Sequence, residues 1–388
     1  MMTVFRMNIE ADPASWTYWP EHEDLSVELS KLLAAAQDGG STVAECLLGA
    51  GRIRIGDDNS WYREWKAIAD SNKERGDAAF GGGNYVTARS NWLRAINYYQ
   101  ASVIPLSGGD AAWAALPNMR ECAAKYLRCR KPAGEIVTIP WLRDHPLQGY
   151  FLPAGFGSGR APTVICLGEP GCTKETLFGL ERHARDRGLS LLLVDLLGTR
   201  TGNGLERVIG QANPESAISC VMDYVSERDD VDERRVAVLA HECASSFVAR
   251  GVANDPRFAA AVCDGGIWDL HERAFLASRL VAENADVVPH VEASRVARNI
   301  RIPLLITLGE RGWLEAARVT EIADQLKMRH PDVTLRIFRS SETASQQGHA
   351  DNSTLACEFI FDWIANRLGA ELPQSKPRLH SVTSLDSI

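Results

Sequence analysis

The sequence predicts an α/β protein in which a mostly parallel, doubly wound sheet carries an N-terminal all-helical cap domain. Three observations point there. From residue 163 to 367, apolar runs of strand length alternate with helical stretches, the pattern of a parallel sheet covered on both faces. The N-terminal third shows helical spacing without a strand series. Residues 235–251 read as a buried strand, a turn of small residues and a helix ended by Gly251.

In chain order, Leu25 to Ala36 carries apolar residues at helical spacing, and Cys46 to Ala50 reads as a short helical piece. Trp61 to Phe80 opens behind Asp57-Asp58-Asn59-Ser60, whose side chains can cap the first free N–H groups. After the breaker Gly81-Gly82-Gly83, the next stretch puts Ala88, Trp92, Ala95, Ile96 and Tyr99 on one stripe. The two segments resemble one tetratricopeptide unit, but no second copy follows at the expected period and a solenoid needs several. Trp92, Tyr98 and Tyr99 are expected in the core. The texture changes at Lys131-Pro132-Ala133-Gly134, after which Ile136–Pro140 and Gln148–Leu152 predict an antiparallel hairpin. Strand Thr163–Leu167, a Gly/Pro loop, a helix over 174–187, strand Leu191–Asp195 and a helix over 214–227 follow. Beyond the 235–239 strand and its helix come strand Ala260–Cys263 and a helical insertion over 269–299. Strand Pro303–Leu308, helix Leu314–Lys327, strand Thr334–Phe338 and helix Thr354–Arg367 complete the series. The expected organisation is a helical cap over 1–133, an α/β core over 134–370 and a disordered tail over 371–388.

The 388 residues are 45% hydrophobic and 24% charged, enough for a sizeable core. A net charge of −8 and the lack of a basic run argue against nucleic acid or an anionic membrane as partner. No apolar run has signal-peptide or transmembrane length. Nine cysteines occur without a CxxC pair or metal-ligand spacing. These features predict a reduced, soluble, cytoplasmic protein with no metal. Gly198-Thr199-Arg200-Thr201-Gly202 lacks dinucleotide spacing and no P-loop is present, so no cofactor is expected.

Ala240-His241-Glu242-Cys243-Ala244 stands where a nucleophile elbow would read Gly-x-Ser-x-Gly. The small flanks are kept and a glutamate takes the place of the serine. With Ser60-Trp61-Tyr62-Arg63-Glu64-Trp65, the Ala88 to Tyr99 segment and the late Gly348-His349, the chain resembles the α/β-hydrolase superfamily. The branch is the esterase/FrsA-like one, which includes pseudooxynicotine C–C hydrolases and fungal polyketide-shortening hydrolases; the resemblance spans residues 50 to 370. It implies an α/β-hydrolase fold, a cap that covers the active site and helps form a homodimer, and a Ser-His-Asp triad acting on β-dicarbonyl or aryl-ketone substrates. His349 matches the triad histidine. In the loop after Pro303–Leu308 the acid's position holds Gly312, with Glu310 nearby. The oxyanion loop reads Gly168-Glu169-Pro170-Gly171, and Pro170 has no N–H to give. The N–H of Cys243 remains as the second donor.

Three chemistries stay open for Glu242. It is a relic in an inert binding or regulatory pseudo-hydrolase, a carboxylate nucleophile of an epoxide- or ester-type hydrolase, or an acid/base partner of His349. The third fits the altered oxyanion loop, because moving a proton beside a carbonyl needs no acyl-enzyme. Glu169 would add a second carboxylate to the cavity, and Glu310 would orient His349. His241, Trp268 and His271 are candidate substrate contacts, and Gly171 and Cys243 candidate oxyanion donors. Cys243 as a thiol nucleophile is disfavoured because the register places Glu242 at the apex. The expected function is a cofactor-independent, non-serine enzyme that forms or breaks a carbon–carbon bond in a polycyclic or polyketide-like carbonyl compound of secondary metabolism.

Overall fold

A computed structural model describes residues 18–19, 21–103, 114–142, 145–156, 159–168, 173–195, 216–266, 299–312, 314–330 and 332–370. The 269–299 insertion (but for residue 299) and the 371–388 tail lie outside these residues. The chain opens with helices α1 (Glu23–Ala35), α2 (Val43–Ala50), α3 (Asp58–Gly81), α4 (Tyr85–Val103) and α5 (Leu116–Arg128). The predicted cap at the start of α3 is present: the Asp57 carboxylate accepts from the Ser60 N–H at 3.2 Å. Helices α3 and α4 pack closely because Gly76 leaves room for a ring; a Cβ there would meet the Trp92 indole at 2.6 Å.

Eight strands then build one sheet among the described residues: β1 (Glu135–Leu142), β2 (His145–Leu152), β3 (Ala161–Leu167), β4 (Ser190–Asp195), β5 (Val231–His241), β6 (Ala260–Asp264), β7 (Leu304–Gly309) and β8 (Val333–Phe338). Their order is β1-β2-β4-β3-β5-β6-β7-β8. The β1–β2 hairpin is antiparallel, as is β2 against β4, while β4 through β8 run parallel. Helices α6 (Leu180–Arg185), α7 (Ser216–Ser226), α8 (Ser245–Asn254), α9 (Ala316–Lys327) and α10 (Ser353–Leu368) cover the faces. The strands of the parallel part are apolar throughout because both faces are covered.

The two faces differ. One carries a cluster with α7, α8 and α9, including Val221, Phe247, Val238 and Ile306. The other shares a single apolar cluster with the N-terminal helices, running from Trp61, Trp65 and Trp92 through Tyr126 and Phe178 to Val164, Leu193 and Phe361. Trp92, Tyr98 and Tyr99 lie buried inside it, as expected of them. A buried ion pair crosses the same seam: Arg130 Nε reaches Glu181 Oε1 at 2.5 Å, and Tyr126 donates to the other oxygen of that carboxylate.

Two departures from the expected elements matter for the site. The helix predicted over 174–187 is a 3₁₀ segment, Lys174–Gly179, followed by the short α6. Its start is pinned to the end of β4, since Asp195 accepts from the Lys174 N–H at 2.5 Å and from its Nζ at 2.7 Å. Strand β6 runs one residue further than expected, so that Asp264 is its last residue.

Candidate active site

The carboxyl ends of the parallel strands are where such sheets place ligands, and the register aligns polar residues there. His241, the last residue of β5, pairs with Asp264 on β6, and Asp264 pairs with Thr307 on β7. In-register neighbours project to the same face, so three side chains meet. Asp264 Oδ2 lies 2.7 Å from His241 Nδ1, and Asp264 Oδ1 accepts from Thr307 Oγ1 at 2.6 Å. His349 arrives from the loop before α10 and places Nε2 at 2.8 Å from the same Oδ1.

Glu242 follows directly on β5. It has a left-handed backbone, φ 52°, which a non-glycine residue adopts only where its surroundings impose it. Strand β5, the short turn Glu242–Ala244 and helix α8 put it at the apex, buried to 5% exposure. Ser245, next on the helix, is spent on the backbone, donating to Ala240 O and Asp264 O at 3.1 and 3.0 Å. Two glycines make the space Glu242 fills. A Cβ on Gly265 would come within 3.0 Å of the Glu242 Cα and 3.2 Å of Oε2; one on Gly348 would stand 2.8 Å from Oε1. Both glycines have positive φ, 97° and 59°, so a side chain is excluded twice over.

The protonation state of His349 follows from its partners. Nδ1 lies 2.6 Å from the Ala344 carbonyl, which can only accept, and Nε2 faces a carboxylate. Both nitrogens donate, and the ring is an imidazolium. Burial alone would lower its pKa. The charge and hydrogen bond of Asp264, the bond to Ala344 O and the charge of Glu242 outweigh burial and push it up to about 9. Asp264 is driven up by burial but held far below the usual carboxylate range by the His349 charge and the bonds from His241 and His349.

The expected orienter of His349 needs a correction. Glu310 turns away to Arg339 Nη1 at 2.9 Å and to the Ser340 N–H and hydroxyl at 2.9 and 3.0 Å. The Ser340 N–H and Arg339 hold its pKa down to about 2. Asp264 contacts His349 instead, from one strand earlier, because Glu310 is hydrogen-bonded to the turn after β8. Neither Asp264 nor Thr307 was among the sequence candidates. The signal was an acid followed by Gly265-Gly266 at a strand end. Glu169, Gly171, Trp268 and His271 lie outside the described residues, as does the side chain of Cys243, whose backbone forms the middle of the apex turn. Among the described residues no group of three or more His, Cys, Asp or Glu side chains is arranged to hold a metal, and no helix is long and apolar enough to cross a membrane.

The fold, with polar residues gathered at the strand ends, is that of the α/β-hydrolase class. No protein-family profile matches the chain. The hydrolyase poxO of Penicillium oxalicum is 30% identical over 318 residues, 75% of this chain and 72% of that one. The 20-hydroxy-prefusarin hydrolase FUS2 of Gibberella moniliformis is 30% identical over 264 residues, 63% of this chain and 61% of that one. Among solved structures, 2,6-dihydroxy-pseudo-oxynicotine hydrolase superposes with a TM-score of 0.70 at 18% identity, covering 86% of this chain and 95% of the other. The chain belongs to the α/β-hydrolase superfamily, alongside fungal proteins named as α/β hydrolases and hydrolyases.

Proposed function

We propose that the protein is a cofactor-independent acid–base enzyme that moves a proton at carbon next to a carbonyl in a polycyclic or polyketide-like substrate. The outcome is formation or cleavage of a carbon–carbon bond. Glu242 is the proton carrier, and His349 is the fixed positive charge beside it that stabilises the enolate. One observation carries this reading: a buried carboxylate stands at the strained apex, in a space hollowed by Gly265 and Gly348, next to an ionised Asp264–His349 pair.

A carboxylate nucleophile requires a histidine with a free nitrogen to activate the water that cleaves the ester. His349 has both nitrogens bound inside the protein and cannot be that histidine. The name of poxO, a hydrolyase, describes loss or gain of water by that relative, and proton abstraction beside a carbonyl is the first half of such a step.

The test is mass spectrometry of the protein incubated with aromatic polyketides, β-diketones and epoxides, with Glu242→Gln and His349→Ala alongside. A product isomeric with its substrate, or two carbon fragments, formed by wild type and lost in Glu242→Gln, is the expected result. An ester adduct trapped on Glu242 would replace this reading with the nucleophilic one. Full turnover by Glu242→Gln would end both.

A further inference from the structure

We infer that His241, held by Asp264, is the second proton carrier of the site and the donor that complements Glu242. The inference rests on the preceding reading only for the reaction it serves; the dyad itself rests on geometry. Asp264 has two histidines, and they are not equivalent. His349 spends both ring nitrogens and its side chain is 4% exposed, which makes it a locked cation. His241 spends only Nδ1, on Asp264 Oδ2 at 2.7 Å, and its side chain is 22% exposed. Its Nε2 has no hydrogen-bond partner among the described residues. Asp264 thus fixes the His241 tautomer with its proton on Nδ1, as the carboxylate of an Asp–His pair does. It leaves one histidine nitrogen of this cluster open to gain and lose a proton.

Among the described residues, the charged and titratable groups facing His241 are Glu242, its neighbour on the chain, Asp264 from β6, and His349 on the other oxygen of Asp264. In the step, the Glu242 carboxylate takes the proton from the carbon and the C–H electron pair becomes the enol double bond. The carbonyl π pair takes the proton from His241 Nε2. Glu242 ends as the acid and His241 as the neutral base, with total charge unchanged. Where the next carbon carries a hydroxyl, His241 instead protonates that oxygen, the C–O bond breaks and water leaves. When the enol adds to an electrophilic carbon, its hydroxyl returns the proton to His241 as the carbonyl re-forms and Glu242 gives its proton to the new alkoxide. After loss of water, Glu242 gives its proton to solvent and His241 takes one from it.

The experiment uses the full chain labelled with ¹⁵N-histidine, following ring nitrogen shifts from pH 5 to 9 in wild type, His241→Gln, His349→Gln and Asp264→Asn. The resonances lost in His241→Gln are expected to show a ring that carries its proton on Nδ1 when neutral, and Asp264→Asn is expected to abolish that preference. The His349 pair should stay doubly protonated to about pH 8. A His241 ring carrying its proton on Nε2, or one indifferent to Asp264→Asn, overturns the inference without bearing on Glu242. In turnover of a compound taken from the mass-spectrometric panel, His241→Gln should lose 100-fold or more in kcat, with KM little changed, and lose the alkaline limb of the pH profile. Unchanged turnover in His241→Gln removes the proton-carrier role, whereas unchanged turnover in Glu242→Gln with the dyad intact removes the proposed function instead.

Discussion

Asp264 is the residue on which the charge balance of the site turns, because it accepts hydrogen bonds from His349, His241 and Thr307 while fully enclosed. Its consequence for pH can be signed. His349 holds its proton up to about pH 9 when folded, against about 6.5 when unfolded. Between those values the folded chain binds more protons, so this pair stabilises fully below about 6.5 and its contribution fades as pH rises through 9. Unfolding free energies from urea titrations across pH 6 to 10 should therefore fall by about 3 kcal/mol more in wild type than in His349→Gln. Asp264→Asn leaves an imidazolium buried without its counter-charge and should cost about 3–5 kcal/mol. An equally stable Asp264→Asn protein would mean that the pair is not ionised.

At the scale of elements, the apex turn depends on what its neighbours lack. Gly348→Ala puts a methyl 2.8 Å from Glu242 Oε1 and asks alanine to hold a φ of 59°. It should keep the fold at a cost of about 1–3 kcal/mol and still lose most turnover, since the carboxylate must move. Circular dichroism with kinetics on one preparation would separate the two effects. Much of this architecture was legible in the sequence. The alternation after residue 163, the hairpin and the turn at Glu242 all follow from periodicities and small residues that act locally. Asp264 was not legible, because its importance comes from the register that sets β6 between β5 and β7, and register joins residues far apart in sequence. Glu310 misled for the same reason: it is near the right loop along the chain, but Arg339 and Ser340 reach it in space. The 3₁₀ start of the segment after β3 was equally hidden, being imposed by Asp195 across the sheet.

For the whole molecule, the question is whether the N-terminal helices are a separate cap or part of the same folding unit. The apolar cluster answers through continuity: residues from α1 and α3 to α5 share it with β2 to β6 and α10, and Arg130–Glu181 is buried across the seam. Breaking the cluster at that seam would expose apolar surface on both sides, and each side chain uncovered costs about 1.5–3 kcal/mol. Six of the ten tryptophans, Trp16, Trp19, Trp61, Trp65, Trp92 and Trp113, precede β1, so tryptophan emission reports chiefly on the helical part. Far-ultraviolet circular dichroism reports on helices and sheet together. The two signals should lose structure at one common denaturant concentration in wild type. Glu181→Gln, which removes the charge that Arg130 meets and weakens the Tyr126 bond, should lower that midpoint by the equivalent of about 3 kcal/mol or more while keeping the transitions together. If emission instead changes well before the circular dichroism, the helices detach from the sheet first and the two parts are separate folding units.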